Sequence, residues 1–457
     1  MIGYFPDDTI AALATPSGVG AIGVIRISGP KTFEVLDQVF QGKKLSEVPT
    51  HTVHLGKIKD GDQELDEVLV AVFHNPKSYT GQDVAEISCH GSSFIQERIL
   101  ELLGKQGIRL ASPGEFTLRA FLNGKMDLSQ AEAVADMIAA DSAGALKTAM
   151  YQMKGGFSKE ISVLRQELID FASLVELELD FSEEDVEFAD RDQLANLILK
   201  ILAAVNRLIE SFRFGNVMKN GYATVIAGKP NAGKSTLLNA LLNEERAIVS
   251  DIAGTTRDTV EEAIQLKGIL FRFIDTAGIR HDAESEIEKI GIARALEKMK
   301  NAAVVIYLFD AREMSLEEVA AETQRFETGQ AEILLVANKV DGLSEAQQKA
   351  LKARPEILQV SAKNKDIDSL IAALSKLANE ANLGASGATV SNVRHLEALR
   401  ETKDALEAAY TGLNSGLTGD LLAEDIRRAI HYLGDITGEI STDDLLGNIF
   451  GKFCIGK

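Results

Sequence analysis

Residues Gly228–Ser235 read "GKPNAGKS", and this stretch decides the fold of the middle of the chain. It matches G-x-x-x-x-G-K-[ST] and lies between a strand-like run, "YATVIAG", and a helical pattern, the context a phosphate loop requires. Gly228 and Gly233 let the backbone turn so that its N–H groups face phosphate oxygens, and the N-terminus of the following helix adds to the anion site. Lys234 is expected to reach the β- and γ-phosphates and to serve catalysis, and Ser235 to ligate Mg²⁺. Asn231, Ala232, Gly233 and Thr236 complete the expected cradle.

Further pieces follow in the order a GTP-binding domain needs. "DTAG" (Asp275, Thr276, Ala277, Gly278) ends the next apolar run, where Asp275 can hold the water shell of magnesium and Gly278 can sense the γ-phosphate. "NKVD" (Asn338, Lys339, Val340, Asp341) follows another run, and the Asp341 carboxylate can accept from the guanine N1–H and exocyclic amine, a donor pair that adenine lacks. "SAK" (Ser361, Ala362, Lys363) supplies a backbone N–H for guanine O6. Between phosphate loop and DTAG lies "SDIAGTTRD", Ser250–Asp258, read as the first switch, with Thr256 as the second protein ligand of Mg²⁺.

Hydrolysis has a gap in this pattern. The position after DTAG, where a Ras-type enzyme carries a water-orienting glutamine, is Ile279, and an apolar side chain cannot polarise water. Glu288 is the expected substitute, acting through a second water, and Arg257 and Arg280 are the only arginine-finger candidates in cis. A monovalent ion between the α- and γ-phosphates fits better, held by the Asn231 side-chain carbonyl and by switch oxygens of Ser250, Ile252 and Thr255. A plain turn residue is the competing reading of Asn231.

Working outward, residues 1–118 alternate β-rich runs ("AIGVIRIS", "EVLVAVFH", "DVAEISCH") with an amphipathic helix in "SSFIQERILELLGKQG", an α/β domain. Residues 119–214 read as helical; Ile161, Leu164, Leu168, Phe171 and Val175 recur every three or four positions along one face. From 217 to 380, strand-like runs each followed by a helix predict a parallel sheet with helices on its faces. After the loop "LGASGATVSN", residues 381–457 return to helix. The expectation is a multidomain chain, α/β plus all-α, in which a Ras-like P-loop domain is inserted into a split helical domain.

Composition narrows the classes. With 48 Lys+Arg against 68 Asp+Glu the formal charge is −20, opposite to a wide nucleic-acid-gripping surface, so any RNA contact needs a local basic patch or a partner. No apolar run is long enough to span a bilayer, and the start carries no export signal, so a cytoplasmic protein is expected. Two cysteines, Cys89 and Cys454, rule against a disulfide framework. "CIGK" from Cys454 lacks the residues of a prenylation signal, and no polybasic run precedes it. The tail is expected to be a mobile arm freed by Gly451 and Gly456, with Phe450 and Phe453 able to dock on an apolar surface.

Taken together, "ATPSGVGAIGVIRISG", "PGEFTLRAFLNGKMDLSQAEAVADMI", "GKPNAGKS", "DIAGTTRD", "DTAGIR" with "EKIGI", and the terminal "FCIGK" resemble the MnmE (TrmE) family of tRNA-modification GTPases over the whole chain. The resemblance implies a folate-binding N-terminal domain that dimerises, a split helical domain, and an inserted G domain activated by K⁺. It implies work with a flavoprotein partner, MnmG (GidA), which brings FAD, in a complex that contains a homodimer of this chain. The implied product is an aminomethyl-type group on C5 of the wobble uridine of certain tRNAs, its carbon drawn from a 5-formyl or methylene tetrahydrofolate. It supports Asn231 as K⁺ ligand and Glu288 as the water-orienting acid, although the spacer from Arg280 to Glu288 departs from the family by a residue. It further implies folate contacts at Arg26, Glu86, Lys125 and Lys457, and a chemical role for Cys454. A regulatory switch that recruits RNA or ribosome-assembly partners, without chemistry of its own on RNA, is the alternative.

Overall fold

The computed structural model describes residues 8–180, 191–244, 248–249, 262–274, 302–313, 317–319, 331–384, 388–415 and 419–456. Contacts divide the chain into two units: Met1–Ala135 with Gln152–Glu176 and Ile426–Lys457, and Asp136–Tyr151 with Leu177–Asp425.

In the first unit, period-two alternation builds a sheet with one face on the core. Its strands are β1 (Ile10–Leu13), β2 (Ile22–Ser28), β3 (Phe40–Gln41), β4 (Thr52–Asp60), β5 (Gln63–Phe73), β6 (Val84–His90) and β7 (Arg109–Leu110), in the order β3-β4-β5-β6-β2-β1-β7. All pairs are antiparallel except β1 with β7. Val68, Val70 and Val72 of β5, Ile25 and Ile27 of β2, and Ala85, Ile87 and Cys89 of β6 point inward. They share a core with α1 (Thr32–Val39) and α2 (Ser93–Lys105). The alternation therefore sends Arg26 and Glu86, which stand opposite each other in the β2/β6 register, to the other face.

The next helix, α3 (Glu115–Leu122), is tied to this sheet by charge. Glu115 and Arg119 are both fully buried, and Glu115 accepts from Arg109, from Arg119 and from the Ser112 N–H, while Arg119 also pairs with Asp8. Burial alone would push the Glu115 carboxyl up; the three donors outweigh it and hold the group below its ordinary value.

Helices α4 (Leu128–Ile138), α5 (Ala143–Met153), α6 (Gly156–Asp180) and α7 (Arg191–Asn220) follow. The expected stripe of α6 is realised at Ile161, Leu164, Leu168 and Phe171, all buried; the Val175 side chain lies outside the described residues.

From α7 the chain enters the second sheet. Its strands are β8 (Tyr222–Ala227), β9 (Ile248–Val249), β10 (Glu262–Leu266), β11 (Ile269–Phe273), β12 (Val304–Asp310), β13 (Glu332–Asn338) and β14 (Ile357–Gln359), ordered β14-β13-β12-β8-β11-β10-β9. Five are parallel, and β12, buried at every position, shows why its sequence is an unbroken apolar run ending in Asp310. The residues that follow β11, from 275 to 301, lie outside the described ones, and a strand not expected from the sequence is β10, which precedes β11 with no helix between the two. These pair antiparallel through the two-residue turn Lys267–Gly268, whose φ values of +52° and +82° suit the twist of a tight hairpin.

Helix α8 (Lys234–Leu242) follows the phosphate loop, and α9 (Glu345–Lys352) and α10 (Asp368–Gly384) complete this part. The chain then returns to α11 (Val393–Asn414), which packs along α7, so the sheet domain is inserted between two helices that touch. Helices α12 (Gly419–Thr437) and α13 (Asp443–Phe450) end the fold. Among the described residues no helix is long and apolar enough to cross a membrane.

Candidate functional site

The three nucleotide motifs that fall among described residues meet at the carboxyl edge of the parallel strands, where open α/β sheets take ligands. The loop after β8 contributes Gly228–Gly233. Two positions there accept no side chain. A Cβ on Gly228 (φ +149°) would lie 2.0 Å from the Leu308 carbonyl oxygen, and one on Gly233 (φ +97°) would lie 2.4 Å from Asn338 Nδ2. Asn231 takes φ +63°, a left-handed conformation in which asparagine is enriched among non-glycine residues. Lys234 opens α8 and curls over the loop, its ammonium donating to the carbonyls of Gly228 (3.0 Å) and Lys229 (3.1 Å). Ser235 and Thr236 sit in the same first turn.

The NKVD and SAK motifs are tied to this loop. Asn338 donates from Nδ2 to the Ala232 carbonyl at 2.8 Å and accepts at Oδ1 from the Ala362 N–H at 3.1 Å, joining three motifs through one buried amide. Lys339 donates to the Asn231 carbonyl at 2.7 Å and to Asp310 Oδ2 at 2.8 Å. Asp341 accepts from the Ser361 hydroxyl at 2.5 Å, which holds its carboxyl below the ordinary value and keeps it an acceptor. Lys363 lies in the short 3₁₀ turn Ala362–Asn364 just beyond. Asp310 and Arg312 were not singled out in the sequence; the one signal was an acid ending an apolar strand. Ser250, Ile252, Thr255, Thr256, Asp275, Thr276, Ala277, Gly278 and Glu288 lie outside the described residues, as does Lys457. Of the ligands expected for Mg²⁺ only Ser235, and of those for K⁺ only Asn231, have a described position, the first in the opening turn of α8 and the second in the loop before it.

A second constellation lies in the first unit. Arg26 donates from Nε to Glu86 Oε1 at 2.9 Å, and its NH2 lies 2.8 Å from the same oxygen, leaving Oε2 for another donor. The guanidinium carbon stands 5.3 Å from the Tyr79 ring centroid and 5.7 Å from that of Phe116, at cation–π range. Burial pushes the Tyr79 phenol up, so it remains neutral, with its oxygen 2.9 Å from the Thr117 hydroxyl. Neither ring had been expected here. Lys125 is exposed and donates to the Pro76 carbonyl at 3.1 Å.

The C-terminal segment reaches this place. Thr442 caps α13 by accepting from the Leu445 N–H, and Phe450 is fully buried among Leu118, Leu128 and Phe121, with Phe453 beside it. The arm expected to be freed by Gly451 is helical there (φ −61°, ψ −17°), because Phe450 is anchored. The Cys454 carbonyl accepts from the Gly114 N–H at 3.4 Å, and the Gly456 carbonyl accepts from Arg26 NH1 at 3.3 Å. Cys454 is an exposed free thiol. A Cβ on Gly456 (φ +95°) would meet the Leu13 carbonyl at 2.3 Å, so the tail passes flush against β1.

Two family models cover almost the whole chain: the GTP-binding protein TrmE N-terminus over residues 9–125 and the MnmE helical domain over residues 128–454. The chain belongs to the MnmE family. Proteins named tRNA modification GTPase MnmE resemble it from end to end. That of Cytophaga hutchinsonii is 55% identical over 451 residues, 98% of each chain. That of Flavobacterium psychrophilum is 51% identical over 459 residues, 98% of this chain and 99% of its own. That of Bacteroides thetaiotaomicron is 48% identical over 464 residues, again 98% and 99%. The phosphate loop and the tail constellation thus sit in a chain of MnmE architecture throughout.

Proposed function

We propose that this MnmE-family GTPase couples GTP hydrolysis to tRNA modification in the cytoplasm. With a flavoprotein partner of the MnmG (GidA) type, it adds an aminomethyl or carboxymethylaminomethyl group at C5 of the wobble uridine of certain tRNAs. The carbon comes from a tetrahydrofolate derivative, and FAD enters only through the partner. Residues 1–118 bind folate and dimerise, 217–380 form the G domain, and 119–214 with 381–457 form the helical part.

The observation that carries this reading is the C-terminal segment lying against Arg26, with the Gly456 carbonyl bonded to the guanidinium and the Cys454 thiol exposed. A switch that only recruited partners would have no use for a cysteine-bearing tail docked against a polar, aromatic-lined site. Arg26, Glu86 and Lys125 are chemically suited to a pterin with paired N–H donors and a glutamate tail. Bound folate supplies the one-carbon unit; Glu86 Oε2 would orient its ring, Arg26 and Lys125 its carboxylates, and Lys457 would lie at the end of the docked tail.

In the G domain the loop N–H groups and Lys234 bind the phosphates, Asp341 selects guanine, and Ser235 and Thr256 hold Mg²⁺. Asn231 with Ser250, Ile252 and Thr255 holds K⁺, and Glu288 orients water. The test is Cys454→Ser, or removal of the last four residues, in cells lacking the parent gene. Loss of wobble-uridine modification with unchanged GTP affinity is expected; modification that survives both changes would leave the chemistry wholly to the partner.

A further inference from the structure

Asp310 ends β12 with its side chain only 6% exposed, yet it contacts no position expected to touch nucleotide except through Lys339. Arg312 grips it from one side. The Arg312 Nε and backbone N–H each donate at 3.0 Å to Oδ1, and NH2 donates at 2.7 Å to Oδ2. From the other side Lys339 donates to Oδ2 at 2.8 Å, and the same ammonium reaches the Asn231 carbonyl at 2.7 Å. Arg312 and Lys339 together hold the Asp310 carboxyl far below the ordinary range, so the brace is charged at every pH in which the protein works.

The geometry matters because Lys339 and Asn231 both stand at φ +63°, a left-handed conformation that asparagine tolerates and lysine disfavours. A lysine stem left to itself also has rotamer freedom to lose on being fixed. A carboxylate that is itself immobilised removes that freedom in advance, which is how preorganised groups raise affinity. Exposed ion pairs do little, but here the acceptor is shielded and already aimed.

We propose that Asp310, held by Arg312, is a positioning residue for guanine-nucleotide retention: it fixes Lys339 so that one side chain locks the phosphate loop at Asn231 to the base-reading loop. The inference rests on the GTP reading of this site and extends it to a residue that touches no nucleotide.

Dissociation of a fluorescent N-methylanthraniloyl GDP from the full chain tests it, measured for the parent, Asp310→Asn, Lys339→Met and the double variant. Asp310→Asn should release nucleotide about 10- to 100-fold faster, the range for losing a hydrogen bond to a charged group. The double variant should be no faster than the faster single one, since both changes break one chain. Asp310→Glu, which keeps the carboxylate, should recover most of the loss, a rescue that a packing role does not give. Should Asp310→Asn fail to fold, Asp310→Glu takes its place in the cycle, with an intermediate rate and the same non-additivity expected. Release within twofold of the parent, or effects that multiply in the double variant, would overturn the proposal. A parent that fails to bind the guanine nucleotide would instead defeat the GTP reading itself.

Discussion

A single methyl group on Gly114 should undock the C-terminal segment. Gly114 precedes α3 at φ +68°, and a Cβ built there lies 2.5 Å from the Phe450 carbonyl oxygen and 3.0 Å from Phe450 Cβ. Carbon and carbonyl oxygen rest at about 3.3 Å or more, so the backbone at Phe450 has to retreat by roughly 1 Å. Forced overpacking of this kind costs about 1–3 kcal/mol. The left-handed backbone costs alanine about 1–2 kcal/mol more, but equally with the tail docked or released. Burial of the Phe450 ring, the main anchor of the tail, contributes only about 1.5–3 kcal/mol. The clash alone is comparable to the anchor, so in Gly114→Ala the segment from Phe450 onward should spend much of its time released, taking the Gly456 carbonyl away from Arg26.

Gly107 provides the control. It has φ +83° and nothing within 4 Å of a built Cβ, so Gly107→Ala carries the backbone cost without the clash. Limited proteolysis with mass spectrometry, aimed at Lys452, reads the release directly, and nucleoside analysis of tRNA from complemented cells reads its consequence. Faster cleavage and lost modification are expected for Gly114→Ala alone. Equal protection of the tail in both variants would refute the reasoning, because the steric difference between the two glycines is then without effect.

Three further outcomes are expected. Asp341→Asn should shift preference from guanine toward xanthine, whose 2-oxo group accepts where guanine donates, and unchanged GTP affinity would mean that the base is read elsewhere. Asn231→Ala should abolish any K⁺ stimulation of hydrolysis while GDP still binds, since the backbone cradle persists; equal parent turnover in Na⁺ and K⁺ would count against a cation site. Because the Glu115 carboxyl is held below its unfolded value of about 4.3, its stabilisation is complete above that pH and fades as pH falls through the folded value. Thermal stability should therefore fall on acidification more steeply in the parent than in Glu115→Gln, and parallel slopes would show that the cluster does not titrate with folding.

Much of the fold was legible because burial writes different patterns on different strands. A strand covered on both faces reads as an unbroken apolar run, as in β12, and one covered on a single face alternates, as in β5 and β6. The β10–β11 hairpin escaped because its turn is Lys267–Gly268 rather than Asn-Gly or Asp-Gly, so only half of the expected turn chemistry is written there. The docking of the tail escaped for another reason. Gly451 was read as a source of freedom, but glycine only permits unusual dihedrals, and whether it uses them depends on what its neighbours bury.

The site divides along the same line. Lys234, Asn338 and Asp341 were readable because the spacing of a motif on a strand edge fixes which backbone groups converge, whatever the rest of the chain does. Arg26 and Glu86 are sixty residues apart, and their meeting depends on the β2/β6 register; a slip of one residue would have sent one of them into the core. Asp310 was visible as the end of a strand but not as a partner. Which cation it binds follows from β12 lying beside β13 in the sheet, which brings Asp310 and Asn338 into register and so places Lys339, the next residue, within reach. A charge at a strand end acquires its role from the neighbouring strand. The brace behind Lys339 is therefore a property of the strand order, and the Asp310 variants probe that order at the point where it meets the phosphate loop.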